Sequence, residues 1–95
     1  MNIEAILFEN ILSMVSELTE VSKEEIMQSR KEDATDARYI LVHILSRYLT
    51  DGQIAKLLHR TRQGVAHIRQ REPNKWSVAS YLQEIEKQIK SRTKI

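Results

Sequence analysis

The sequence contains no cysteine, and it has only two glycines and one proline among its 95 residues. The absence of cysteine excludes disulfide scaffolds, cysteine-ligated zinc or iron–sulfur sites and thiol nucleophiles. So few glycines and prolines exclude a glycine-rich phosphate-binding loop, a dinucleotide-binding fold and a series of β-turns. No apolar run approaches the roughly 18 residues that a membrane-spanning helix needs, and no signal sequence opens the chain. Composition therefore predicts a small cytoplasmic helical protein with no membrane partner.

The size and composition of the chain are those of a folded protein. At 11.1 kDa it is long enough to bury one compact core, so we expect a single domain over residues 1–95. Hydrophobic residues make up 41% and charged residues 29%, which is typical of a globular rather than a disordered chain.

Charge is distributed unevenly along the chain, although the net charge is only +2. Residues 1–28 hold six acids and one lysine, whereas residues 29–71 hold nine bases and four acids, so these segments carry −5 and +5. From residue 52 to residue 71 there are five lysines or arginines, two histidines and no acid. A solvated basic face would usually include acids for pairing between neighbouring helix turns. The acid-free stretch therefore favours a polyanionic partner such as nucleic acid.

Hydrophobic periodicity predicts an all-α fold with about six helices, because no segment alternates with period two. Apolar residues of 2–18 recur every three to four positions and indicate a first helix. Ser22 followed by Glu25 predicts a capping box that opens a short helix ending near Ser29. Further helices are expected at residues 33–49, 51–59 and 61–71, and from Pro73 onward.

The segment 33–49 is the most apolar, and it is the expected core helix. Its tyrosines, Tyr39 and Tyr48, are therefore interpreted as core residues. His43 is interpreted as a partly buried structural residue. The other two histidines lie eight residues apart without a nearby carboxylate, so no metal site and no cofactor are expected.

Residues 53–68 match the spacing of a helix-turn-helix. Ile54 and Leu58 lie one helical turn apart, and Val65 and Ile68 would bury the inner face of a second helix. The outer face then carries side chains that suit guanine, adenine or phosphate, namely Arg62, Gln63, Ala66, His67, Arg69 and Gln70. Short helical hairpins in ordinary bundles give the same spacing, which leaves packing as the alternative interpretation.

The turn of this motif departs from the usual pattern at two positions. His59 occupies the position that usually holds a glycine, and Arg60 replaces an expected apolar residue.

Three runs resemble the C-terminal DNA-binding domain of the chromosomal replication initiator DnaA. They are SKEEIMQSRK at residues 22–31, ARYIL at 37–41 and RYLT at 47–50. The resemblance covers roughly residues 13–90 and implies a Trp-repressor-like all-α bundle that contains a helix-turn-helix. It also implies that Arg30 and Lys31 contact the minor groove and that Arg38 holds a phosphate. From the residues alone, pairing of Arg38 with an acid of the first helix is an equal alternative.

The resemblance is weaker where a target sequence would be recognised. Residues 65–67, Val-Ala-His, align with the family's Val-Leu-His. Residues 61–64 differ from its Asp-His-Thr-Thr, and the helical hairpin is about three residues shorter than that of the family. We therefore expect a target other than the initiator's own origin box. No ATPase is expected, because the chain has no phosphate-binding loop motif.

The sequence thus predicts a sequence-specific protein that binds double-stranded DNA, of regulatory or replication type. The expected DNA contacts are Arg30, Lys31, Arg38, Arg60, Thr61, Arg62, Gln63, Gly64, Ala66, His67 and Arg69. The alternative is a protein-interaction module that keeps the fold and binds a protein partner through the acidic N-terminal helix. An enzyme is not expected, because no set of nucleophile, base and orienting residue can be assembled from this sequence.

Overall fold

The structure, a computed structural model, describes residues 2–71 and 76–93, and these parts of the chain form six α-helices and no strand. The helices are α1 (Ile3–Thr19), α2 (Lys23–Gln28), α3 (Glu32–Leu45), α4 (Asp51–Leu58), α5 (Arg62–Gln70) and α6 (Trp76–Thr93). The predicted all-α fold with about six helices is confirmed. The predicted helix start at Pro73 lies outside the described residues.

Helix α3 is the central element, and it packs against α1, α2, α5 and α6. Its residues Ile40, Leu41, Ile44 and Leu45 are completely buried. All six helices contribute to the hydrophobic core around α3. Within the described residues, no helix is both long enough and apolar enough to cross a lipid bilayer.

The tyrosine and histidine predictions for the central helix have different outcomes. Tyr39 is buried as predicted, and its ring stacks on that of His43 with the centroids 5.7 Å apart. His43 is half-buried, as predicted. Tyr48 is 50% exposed, so its assignment to the core is wrong.

Tyr48 is exposed because α3 ends at Leu45 instead of continuing to residue 49. The Ser46 hydroxyl donates to the Val42 carbonyl at 2.7 Å, and the Tyr48 N–H donates to the Leu45 carbonyl at 2.9 Å. The second bond closes a turn of the tighter i→i+3 type, which often ends an α-helix. The Leu49 N–H also donates to the Leu45 carbonyl at 2.9 Å, and the chain becomes extended at Thr50, where α4 begins.

Capping residues fix where α2 and α4 begin. Ser22 caps α2, and its Oγ accepts the Glu25 N–H at 3.2 Å. The predicted capping box is only half formed, because the Glu25 carboxylate accepts the Ser22 hydroxyl at 3.4 Å rather than the Ser22 backbone N–H. A full reciprocal capping box occurs at Thr50, whose Oγ1 accepts the Gln53 N–H at 3.2 Å while Gln53 Oε1 accepts the Thr50 N–H at 2.9 Å. Gln53 Nε2 also donates to Glu4 Oε1 at 2.6 Å, which connects the start of α4 to α1.

The apolar stripe predicted for the last helix faces the core. Val78 and Ile85 are buried, and Leu82 and Ile89 pack against the core while partly buried. This packing places α6 along α3 and α1. Helix α6 therefore covers part of the core, and α4 and α5 carry the candidate site.

Candidate functional site

Helices α4 and α5 occur where the sequence predicts two short helices, and residues 59–61 connect them. Helix α4 ends at His59, which has φ 56° and ψ 44°. This left-handed conformation costs a non-glycine residue about 1–2 kcal/mol, because its Cβ approaches the carbonyl oxygen that follows. The Arg60 N–H donates to the Ala55 carbonyl at 2.9 Å and closes the end of α4. His59 thus adopts the conformation that explains why a glycine usually stands at this position.

Thr61 and Gly64 form the start of α5. Thr61 Oγ1 accepts the Gly64 N–H at 2.9 Å and so satisfies one of the free donors at the helix start. A Cβ on Gly64 would lie only 3.1 Å from Thr61 Oγ1, so the glycine leaves room for this cap. Val65 is completely buried and Ile68 is partly buried, as predicted for the inner face.

Three polar residues follow one another along the outer face of α5. Gln63, His67 and Gln70 are four and three positions apart, so they lie on one side of the helix, and all three are exposed. Ala66, beside them, is half-buried. We call Gln63, His67 and Gln70 the α5 stripe. Its side chains are hydrogen-bonding groups, two amides and one imidazole.

The arginines of α5 lie towards the start of α4 rather than in the α5 stripe. Arg69 forms two hydrogen bonds to Asp51, from Nε to Oδ1 at 3.1 Å and from Nη2 to Oδ2 at 2.9 Å. Arg62 is exposed and lies close to Gly52 of α4. Its Nε is 3.9 Å from the position that a Cβ would occupy if Gly52 carried a side chain. Asp51 therefore binds Arg69, and the predicted contact between Arg69 and DNA stays a prediction.

The charges at this point stabilise one another. The hydrogen bond from Arg69 holds the pKa of the Asp51 carboxyl below its usual value, and the charges of Arg69 and Arg62 act in the same direction. The same hydrogen bond raises the pKa of Arg69. Sequence reasoning missed Asp51, yet one signal was present, since Asp51 is the sole acid between Asp36 and Glu72.

The loop after α2 lies beside the turn that connects α4 and α5. Arg60 Nη2 donates to the Met27 carbonyl at 3.3 Å, across 33 positions of sequence. A groove of about 320 Å³ between these segments is lined by residues that include Gln28 and His59. Arg30 and Lys31 follow directly, are exposed, and form no salt bridge with an acid in the described part of the chain. We call Arg30, Lys31 and Arg60 the basic edge.

Arg38 does not belong to this exposed surface. It is only 6% exposed, and its guanidinium donates from Nε to the Ile26 carbonyl at 2.8 Å and from Nη2 to the Ser29 carbonyl at 2.6 Å. Burial lowers the pKa of Arg38, and the neighbouring charge of Arg60 lowers it further. Arg38 thus has a structural role at the end of α2 and binds two carbonyls rather than an acid of α1, and its contact with a phosphate stays a prediction.

No family model, curated protein or solved structure matches this chain. The resemblance to the initiator domain and the helix-turn-helix interpretation therefore stay predictions. Among residues 2–71 and 76–93, no three histidine or carboxylate side chains lie close enough together to hold a metal ion. The candidate site is thus a polar and basic surface made by the α5 stripe, the basic edge and Arg62.

Proposed function

We propose that this chain is a sequence-specific protein that binds double-stranded DNA, with α5 in the major groove. The observation that carries the proposal is the contact of Arg60 with the Met27 carbonyl, which brings the turn before α5 to the end of α2, where the exposed Arg30 and Lys31 follow. Lysine and arginine side chains bind phosphates at every position of a duplex, whereas glutamine and histidine side chains suit base edges. The surface therefore offers both kinds of contact that sequence-specific binding requires.

The dimensions of α5 suit this role. An α-helix with its side chains is about 10–12 Å across, which the roughly 12 Å wide major groove admits. The nine residues of α5, at 1.5 Å each, give it a length of about 13 Å along that groove. Gln63 and Gln70 stand seven positions apart, so the α5 stripe extends about 10 Å and spans roughly three base pairs. Gln63 suits an adenine, because a glutamine amide can form two hydrogen bonds with this base, donating one and accepting the other. His67 lies between these glutamines and suits the central pair.

The basic edge would bind the backbone next to the groove that α5 occupies. Its position after α2 agrees with the minor-groove contact that the resemblance implies for Arg30 and Lys31. Thr61 and Gly64 contribute to this function because they determine where α5 begins. Ala66 contributes because its small side chain lets this side of α5 approach the DNA closely.

A second candidate function is a protein-interaction module that uses α1. Ile3 is 81% exposed and Ile6 is 43% exposed, one helical turn apart on α1. The first 28 residues carry a net charge of −5, so such a partner would present a basic and apolar surface.

A titration of the purified protein with random-sequence duplex at several salt concentrations tests the DNA proposal. About five phosphate contacts would give a slope of log K against log[salt] of about −4 to −5. A slope near zero, or no binding at about 50 mM salt, would contradict the proposal and favour the interaction module.

A duplex selected for tight binding tests the role of the α5 stripe. Gln63→Ala should cost roughly 1–3 kcal/mol on the selected duplex and much less on random duplex, because a paired base contact exists only at the right position. Gln83→Ala, on the exposed side of α6, is the matched control and should change neither affinity. Equal losses for Gln63→Ala on both duplexes would show that α5 is not the recognition helix.

A further inference from the structure

Asp51 is the one carboxylate within a stretch of 35 residues that is otherwise free of acids, from residue 37 to residue 71. It is the first residue of α4, where the positive end of the helix dipole favours a negative charge. Both carboxylate oxygens of Asp51 accept hydrogen bonds from Arg69.

The Asp51–Arg69 pair reproduces the geometry of an arginine on a DNA phosphate. A planar guanidinium binds two anionic oxygens of a carboxylate or of a phosphate through the same pair of parallel hydrogen bonds. The Arg69 donors at Nε and Nη2 are both engaged by Asp51, at 3.1 Å and 2.9 Å. Arg62 lies close enough for its charge to act on the same carboxylate. A phosphate can bind Arg69 in this way only if it displaces Asp51.

We propose that Asp51 takes the place of a DNA phosphate on Arg69. It thereby keeps Arg69 from binding DNA and weakens the binding of Arg62 to the DNA backbone. The inference rests on the proposed DNA binding by α5. Asp51 then sets how many phosphates the surface binds, and so sets its affinity for duplex of any sequence. The α5 stripe, which Asp51 does not contact, determines sequence preference.

Replacement of the carboxylate by its neutral isostere tests this inference. In Asp51→Asn, the release of one arginine should make the slope of log K against log[salt] steeper by about 0.9. At about 0.1 M salt this corresponds to roughly fivefold to tenfold tighter binding of random and selected duplex alike. Glu17→Gln removes the same charge from an exposed position on α1, and it is the matched control that should leave the slope unchanged.

The variant Arg69→Gln gives a second, independent test. If Asp51 keeps Arg69 off the DNA, Arg69→Gln removes the gain of Asp51→Asn, so the double variant has the slope of the unaltered protein. Circular dichroism of each variant shows whether the helices are retained, and Asp51→Ser, which also removes the charge, repeats the test if Asp51→Asn does not fold.

Each outcome separates the inference from the proposed function. DNA binding by the unaltered protein together with an unchanged or shallower slope in Asp51→Asn would overturn the inference alone. A gain in slope that persists in the double variant Asp51→Asn/Arg69→Gln would do the same, because Arg69 would then not be the residue that Asp51 keeps from DNA. Absence of duplex binding by the unaltered protein, by contrast, would overturn the proposed function and the inference together.

Discussion

Arg38 shows how burial changes the role of a single residue. A buried guanidinium that binds two carbonyls satisfies backbone groups that the end of a short helix would otherwise leave without partners. The sequence shows an arginine inside an apolar helix pattern, and it does not show whether that arginine turns outward. The outcome depends on the path of the loop after α2, which brings the Ile26 and Ser29 carbonyls to Arg38.

We expect Arg38→Met to lower the free energy of unfolding by roughly 2–4 kcal/mol, because two carbonyls lose a charged donor inside the protein. Urea denaturation measures this cost. Arg47→Met is the matched control, since Arg47 is exposed and pairs with Glu86 on the surface at 2.5 Å, so its loss should change stability little. A cost below about 0.5 kcal/mol for Arg38→Met would show that other groups satisfy those carbonyls.

Among the elements, the positions of the helices were predictable and some of their ends were not. The caps at Ser22 and Thr50 have clear chemical signals, and both helices begin where these signals stand. The end of α3 has no such signal, because Ser46, Arg47 and Tyr48 are compatible with continued helix. Tertiary packing decides that end, since the chain must turn to bring α4 against α5 and α1.

The junction of α4 and α5 carries a testable strain at His59. We expect His59→Gly to raise the free energy of unfolding by about 0.5–1 kcal/mol, because glycine adopts φ near 56° without the Cβ contact. His59→Ala keeps the Cβ and should bring no such gain, so it is the control. Thermal or urea denaturation of the three proteins measures the difference. Destabilisation by glycine would mean that the imidazole makes a contact that outweighs the strain.

At the scale of the whole molecule, the candidate site was only half predictable. The outer face of α5 follows from helical periodicity, so Gln63 and His67 were identified from spacing alone. The contact between Arg69 and Asp51 joins residues 18 positions apart, and it depends on how α4 and α5 cross. The contact between Arg60 and the Met27 carbonyl likewise depends on the assembled bundle. Periodicity defines the face of one helix, whereas these pairings require several helices in place.

If the basic edge binds phosphates, removing one of its charges should weaken the binding of all duplex sequences equally. Lys31→Ala should weaken binding of every duplex by a similar factor and make the slope of log K against log[salt] shallower by about 0.9, because phosphates repeat at each step. Lys23→Ala removes the same charge from α2, where Lys23 pairs with Glu9 at 3.7 Å, and it should leave the slope unchanged. Salt titrations of both variants decide the matter. A loss confined to the selected duplex would place Lys31 on a base instead.

The arginine contacts at the end of α2 also show on which parts of the protein this helix depends. Six residues are far fewer than the roughly 12–15 that an isolated helix needs in water. The carbonyls of Ile26 and Ser29 are bound by Arg38, and that of Met27 is bound by Arg60. We therefore expect α2 to need α3 and the turn before α5 for its stability. Loss of these contacts would open α2 and, with it, the geometry of the adjoining basic edge.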